Sequence, residues 1–514
     1  MPPPAAPPRL PPLEGGARVL ATLAVALATF MNVLDTTIAN VSIPTIAGDI
    51  GVSANQGTWV ITSFAVANAI SVPLTGYLAR RFGQVRVFVW STLLFAAASW
   101  LCGLSHSIEM LVAFRVAQGL VAGPMIPLSQ ALLLQCYPPA KAGAALAIWS
   151  ITTTVAPVIG PILGGWISDN MSWGWIFYIN IPAGLLAAGM SWMLLKHREL
   201  PTARLPVDAV GLALLVIWVG AMQLVLDRGK ELDWFGSTEI VTLAILSAVG
   251  FCFFLVWELT EKHPIVDLHL FRRRSFTFGT LALSLGYGVF FANIVVQPLW
   301  MQQYMGYTAT WAGLATAPSG LLAIVFMPLV GKSMGRVDPR AFAVASFIIL
   351  ALASFLRAHF NTDMTFVDMI LPQLIQGIAM AGFFVPLSAI LISGLGPAQM
   401  AAAAGLSNFA RITAGAFGAS ISVTLWESRA ALHHAQLSEA INPYRPSAQM
   451  ALDAMRQQGM SQEQALAALN RSIDAQAATM SATEFFWASG ILFLLLVALA
   501  LLSKPARAPS GEKG

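Results

Sequence analysis

Of the 24 acidic residues in this 514-residue chain, hydropathy places one, Asp35, inside a long apolar segment. A carboxyl group immersed among hydrocarbon is suited to one chemistry above others, the uptake and release of a proton. At a rise of about 1.5 Å per residue, Asp35 lies about 12 Å from the outer end of its helix. Asn32, Thr36 and Asn40 share its face at helical spacing, while Val33, Leu34, Ile38 and Val41 turn elsewhere. Such a polar stripe is expected to face a cavity, because lipid would leave its groups unsatisfied. Arg115 falls at the same depth on a span of opposite direction and is the expected partner. Burial favours the neutral form of a carboxyl group and a neighbouring guanidinium the charged form. A small movement of Arg115 could therefore switch Asp35 between them. The alternative is a fixed ion pair that only orients two helices.

Other polar residues fall within apolar segments. Arg411 lies near mid-membrane, Gln373 and Gln376 share a helical face, and Gln297 clusters with Gln302 and Gln303. They are candidate linings of a substrate cavity, with local hydrogen bonding between helices as the alternative. The stretch 156–165 contains Pro157, Gly160, Pro161, Gly164 and Gly165, which weaken the backbone ladder and permit close helix approach. From the residues alone it is either a moving interface or a packing contact. Gly119 and Gly123 read as packing. The pair His433 and His434 reads as solvated surface of an outer loop rather than a metal site, and no metal is expected. Cys102, Cys136 and Cys252 read as small apolar residues without redox work. Gly331-Lys332-Ser333 resembles the end of a phosphate-binding loop, but Phe326 stands where the first glycine is required, which rejects it. Catalytic clusters and a nucleotide domain are both missing, so the chain reads as no enzyme, and work would draw on an ion gradient. One proton crossing 100 mV supplies about 2.3 kcal/mol, and each pH unit adds about 1.4 kcal/mol.

The elements that position these residues follow from composition. The chain is 57% hydrophobic and 10% charged, with a mean hydropathy of +0.71. Soluble domains carry about 25% charged residues, so a soluble enzyme, a disordered protein and a disulfide scaffold are poor readings. A net charge of +4 is too small to suggest nucleic acid. Apolar runs indicate fourteen spans, near 19–43, 57–78, 85–104, 107–134, 142–168, 173–195, 209–226, 237–258, 276–301, 311–334, 341–358, 365–393, 401–426 and 483–502. With the N-terminus inside, 19 Lys and Arg residues fall on the cytoplasmic side and seven, Arg357 among them, on the outer side. The positive-inside rule therefore puts both termini in the cytoplasm. Two basic, glycine-bearing loops, Gly76 to Arg86 and Gly331 to Arg340, recur eight spans apart. This rhythm predicts an all-α membrane protein of two six-helix halves with two helices between them, a repeat typical of secondary transporters. The expected organisation is a disordered tail over 1–18, a first half over 19–200, and extra helices with a cytoplasmic linker over 201–274. A second half over 275–504 carries an outer loop at 427–482, and a tail over 505–514 follows. The outer loop has helical periodicity broken near Asn442-Pro443.

Several stretches resemble the signature motifs of the major facilitator superfamily: Leu34 to Val41, Gly76 to Arg86, Arg115-Val-Ala-Gln118-Gly119, and Pro157 to Gly165. More narrowly, the chain is similar to fourteen-helix drug:H⁺ antiporters of the EmrB/QacA type. Leu226 to Trp234, Gly306 to Gly313 and Leu406 to Arg411 contribute, and the likeness spans nearly everything but the tails. The resemblance implies proton-coupled export of drugs by alternating access across the bacterial inner membrane, with protons as coupling ion and no cofactor. It makes Asp35 and Arg115 the coupling pair and 157–165 the antiporter motif. Gln118 and Asn408 join the cavity set, and Gly76, Arg80, Arg81, Gly83 and Arg86 form a cytoplasmic gate loop. It also implies a periplasmic adaptor of the EmrA type and an outer-membrane channel as partners, with the 427–482 loop as the candidate docking surface and a solvated cap as the alternative. One departure stands out. Many members carry an acid at the fifth position of the loop motif, where this chain has Arg80 and, in the second copy, Gly335. With Asp35, Arg115 and Arg411 inside, neutral or weakly acidic amphipathic compounds are the expected substrates. A metabolite exporter or symporter is the alternative, with a non-transporting membrane sensor behind it.

Overall fold

The computed structural model describes residues 11–503 apart from Ser53, Pro139, Ala140, Arg204, Leu205, Gly335, Ala440 and 442–444. It also leaves out the side chains of Asn40, Val41, Pro44, Ala54, Asn55, Val158, Pro161, Ile162, Ser168, Asp169, Ala309, Thr310, Ala398 and Ser447. Residues 1–10, the C-terminal tail, Gly335 of the second loop motif and the break at Asn442-Pro443 thus lie outside the described residues, whereas residues 15–18 of the expected disordered tail belong to the first helix.

Every regular element among the described residues is a helix. The first group comprises α1 (Gly15–Ile50), α2 (Ala54–Ser71), α3 (Thr75–Phe82), α4 (Gln84–Gly103), α5 (Ile108–Ala122), α6 (Met125–Cys136), α7 (Ala142–Asn170), α8 (Trp175–Tyr178) and α9 (Asn180–Leu195). Two helices follow, α10 (Ala209–Arg228) and α11 (Thr238–Thr260). The last group comprises α12 (Arg274–Tyr304), α13 (Ala309–Ser333), α14 (Pro339–Arg357), α15 (Phe366–Ile392), α16 (Pro397–Glu439), α17 (Pro446–Gln457) and α18 (Gln462–Leu502). Among the described residues, twelve helices are long and apolar enough to cross a bilayer. The long helices α7 and α16 pack inside the same bundle, which is compatible with fourteen spans.

Local chemistry fixes several helix starts. The Ser107 hydroxyl accepts from the Met110 amide at the head of α5, and Thr308 caps α13 in the same way. Thr365 with Asp368 and Ser461 with Gln464 form capping boxes for α15 and α18. Packing then repeats. α5 lies on α2 and α4, and α9 on α1 and α4; likewise α15 lies on α13 and α14, and α18 on α12 and α14. This is the two-half plan expected from the spacing of the basic loops.

At the end bearing those loops the two halves touch closely. A Cβ on Gly143 of α7 would stand 2.6 Å from the Gly331 carbonyl oxygen of α13, and one on Gly76 of α3 would stand 2.6 Å from the Ala402 Cβ of α16. Only glycine allows these backbones to approach so closely. At the opposite end α16 continues to Glu439 and α18 begins at Gln462, so the expected outer loop is a helical extension with α17 beside it. Lys230 bonds Glu427 at 2.6 Å at its base.

Three expectations change. Glu258, placed at a span boundary, is fully buried, and its Oε2 accepts from the Val266 amide at 3.0 Å, so Asp35 is not the sole buried acid. Arg357, counted among outer-side cations, is 1% exposed, because its side chain turns back into the bundle from the last residue of α14. His433 is buried rather than solvated, with Nε2 3.0 Å from Glu484 Oε1.

Replacing Gly143 with leucine should drive a branched side chain into Gly331 and loosen the basic-loop end while leaving the membrane-inserted fold in place. A cysteine at Ala147 should then react faster with a polar maleimide than in the parent protein, and unchanged labelling would count against this contact as the closure.

Candidate functional site

Asp35 sits mid-way along α1 with 2% exposure, and Arg115 is fully buried on α5. Arg115 Nη1 donates to Asp35 Oδ2 at 2.6 Å and to Gln118 Oε1 at 2.6 Å, while its Nε donates to the Val60 carbonyl at 3.0 Å. The carboxylate's other oxygen accepts from Gln118 Nε2 at 3.2 Å and from Asn180 Nδ2 at 2.7 Å. Ser99 of α4 closes the cluster, accepting from Gln118 at 2.6 Å and Asn180 at 3.2 Å. The guanidinium carbon lies 4.4 Å from the Phe64 ring centroid and 5.5 Å from that of Phe177. Those faces add cation–π attraction and exclude water. Every oxygen of the carboxylate is thus held by a donor, the condition under which a buried ion pair is sustained.

Two glycines bring α7 against this helix. A Cβ on Gly160 would strike Thr37 Oγ1, and one on Gly164 would stand 3.1 Å from the Ile38 carbonyl. The stretch from Pro157 to Gly165 therefore grips α1 within one turn of Asp35, whereas Gly165 meets open space. Asn40 and Pro161 lie on α1 and α7, but their side chains fall outside the described residues. Gly119 stacks on the Phe64 carbonyl and Ala67 of α2, the packing role expected for it.

The expected cavity residues divide into three groups. Asn32 donates to the Ala122 carbonyl at 3.2 Å and so ties α1 to α5, while Thr36 bonds back to its own helix at the Asn32 carbonyl. Gln118 belongs to the ion-pair cluster. Gln297 and Gln373 bond each other at 2.8 Å, and Gln376 accepts from Arg357 at 2.5 Å. For these glutamines the structure thus favours bonding between helices. Arg411 and Asn408 form the third group. Arg411 donates to Asn408 Oδ1 at 2.9 Å and stands 4.7 Å over the Tyr287 ring, while Asn408 reaches Gln130 of α6 at 3.3 Å across the two halves. On the other face of α16 a hollow of about 350 Å³ opens toward α10 and α11, lined by carbon from Pro73, Leu215, Trp218, Phe251, Phe254 and Phe409. None of the expected polar residues lines it.

The loop from Gly76 to Arg86, expected to act as a gate, is held by an acid the sequence did not single out. Gly83 has a φ of +98°, and a Cβ there would strike the Glu199 carboxylate. Glu199 accepts from the amides of Val85 and Arg86 at 3.0 Å each, capping α4 from the far end of the first half. Arg81 donates to the Tyr77 hydroxyl at 2.6 Å, and the Arg80 carbonyl accepts from Ala203. Arg86 follows the glycine on the first turn of α4. An acid therefore does meet this loop, although the motif's fifth position is Arg80. Asn180, which completes the carboxylate shell, also escaped sequence reasoning; its signal was a lone amide where the apolar run 173–195 breaks.

The sequence profile of the Major Facilitator Superfamily matches residues 25–419. The multidrug export protein EmrB of Escherichia coli strain K12 is 53% identical over 98% of both chains. The fatty acid resistance protein FarB of Neisseria gonorrhoeae is 50% identical over 96% of this chain and 98% of its own. Among solved structures, the proton:xylose symporter XylE superposes with a TM-score of 0.58 at 14% identity, covering 94% of each chain. The human organic anion transporter MFSD10 gives 0.55 at 16%, covering 95% of this chain and all of that one. Both are similar in fold.

Truncating Arg115 to alanine should leave a buried carboxylate without its counter-ion and cost about 3–5 kcal/mol. The double substitution Asp35→Asn with Arg115→Gln should recover most of that loss. Thermal unfolding of the purified proteins in detergent measures both, and additive losses would show that the two side chains are not coupled.

Proposed function

The chain belongs to the major facilitator superfamily and is a transporter of the EmrB type, and from that premise we propose that it exports amphipathic small molecules in exchange for protons, with Asp35 carrying the proton. The observation that carries this reading is the buried ion pair between Asp35 and Arg115 at 2.6 Å. Moving the guanidinium away would leave a buried charge uncompensated, and proton uptake removes that charge. Proton occupancy is thereby tied to helix position. The glycine contacts of α7 on α1 offer a surface along which that position can change, and the close approach of the two halves at the basic-loop end supports one of the two states of an alternating-access cycle. The orientation is that set by the basic loops, with both termini in the cytoplasm of a bacterial cell and the helical extension on the periplasmic side.

For substrates we favour neutral or weakly acidic amphiphiles. Arg411 makes no ion pair among the described residues, so a cation near the meeting of the two halves is available to an anionic head group. The carbon-lined hollow between α10, α11 and the opposite face of α16 is a separate apolar surface that suits a hydrocarbon tail. The resistance to fatty acids in the name of the gonococcal relative is in keeping with this class. The extension formed by α16, α17 and α18 supports docking of a periplasmic adaptor that leads to an outer-membrane channel.

Proteoliposomes with an imposed pH gradient test the reading through efflux of a fluorescent amphiphile. The parent protein should drive efflux only with the gradient, and Asp35→Asn should lose the gradient-driven part entirely; retained gradient-driven efflux would refute the proton-carrier role. Arg411→Gln should raise the KM for an acidic amphiphile more than for a neutral one in the same assay.

A further inference from the structure

The second half contains a buried polar cluster built to the same plan as the first. Counted from the capping residues Ser107 and Thr365, Arg115 and Gln373 occupy matching positions, as do Gln118 and Gln376, and Gly119 and Gly377. The correspondence extends to packing. A Cβ on Gly119 would strike the Phe64 carbonyl of α2, and one on Gly377 the Ser319 carbonyl of α13. Where Arg115 meets Asp35 of α1, Gln373 meets Gln297 of α12. Where Asn180 and Ser99 complete the first cluster, Asn293 of α12 bonds Ser489 of α18 at 3.2 Å. A neutral amide pair has replaced the ion pair.

The charge has not vanished. Arg357, from α14, reaches Gln376 and is 1% exposed. No carboxylate pairs with it among the described residues: Asp368 of α15 is engaged by its own cap at Thr365, and Glu484 of α18 by Arg429 and His433. Arg357 Nε and Gln297 Nε2 are buried without hydrogen-bond partners, as are the acceptors Gln373 Oε1 and Asn293 Oδ1. The first cluster also leaves one donor, Arg115 Nη2, unpartnered but is electrically balanced; the second carries one uncompensated positive charge and two free donors.

We propose that this second cluster binds a single monovalent anionic group, with the Arg357 guanidinium as its charge partner and the Gln297 amide as a second donor. Water could satisfy the donors but would leave the charge in place, and an isolated cation among apolar helices is strongly disfavoured. One net charge calls for one negative charge, which chloride from solution or the carboxylate of an amphiphile equally provides. The Gln376 carbonyl oxygen, which now accepts from Arg357, is the place where a protein carboxylate would serve instead.

Thermal unfolding of the full-length protein in detergent tests this without any transport step, so it stands or falls apart from the export reading. Sodium chloride is compared with sodium sulfate at matched ionic strength, and sodium decanoate is added to the sulfate arm in a parallel series. Chloride or decanoate should raise the Tm of the parent protein by about 1–3 °C at ten times its Kd. Arg357→Gln should lose that response, and Gln376→Glu, which supplies an internal counter-ion, should lose it while remaining folded. A response to chloride assigns the group to a solution ion, and one to decanoate alone assigns it to an amphiphile's head. No response of the parent protein to either, or a response that persists undiminished in Gln376→Glu or Arg357→Gln, would overturn the proposal.

Discussion

A charge pair sealed from water is the constraint around which the first half of this molecule is arranged. Two isolated ions at that depth would each be costly, and they become tolerable only when every exposed oxygen and most N–H groups find partners. Five helices supply those partners, α2 among them through the Val60 carbonyl. The acid comes from α1, the base and an amide from α5, a hydroxyl from α4, and a second amide from α9. The aromatic faces of Phe64 and Phe177 complete the enclosure. Because so many elements converge on two side chains, any rearrangement that parts them must move helices, and any helix movement is felt by them. This reciprocity makes the pair useful to a transporter, where an ion's occupancy and the protein's shape must change together.

The two halves solve the same packing problem with different electrostatics. Glycines at equivalent places let α5 lie on α2 and α15 lie on α13, and both halves bury amides at equivalent depths. Yet one half keeps its carboxylate and the other does not. A duplicated scaffold can thus hold a titratable group on one side and a fixed charge on the other without altering how the helices fit.

Much of this was legible in the residues, for reasons that also explain the gaps. Long apolar runs and their charged borders mark spans strongly, because water and hydrocarbon penalise the wrong residue at any position. The pairing of Asp35 with Arg115 followed from depth alone, since helical rise converts residue number into height. Depth says nothing about azimuth, however, and Gln297, Gln373 and Asn32 turned toward neighbouring helices. Residues at span ends were the hardest to place. Arg357 and Glu258 lie where a long side chain can reach either water or the interior, and the bundle, not the local sequence, decides. Glu199 lies in a basic segment far along the chain from the loop it caps, so no periodicity links it to Gly83.

The unbroken course of α16 has a mechanical corollary. Its 43 residues form a rod about 65 Å long, with one end wedged between the two halves and the other reaching the extension beside α17 and α18. A tilt of about 10° around its middle sweeps the far tip by about 6 Å over that length. The rod is thus a lever arm that magnifies a small rocking of the bundle into a larger displacement at its far tip.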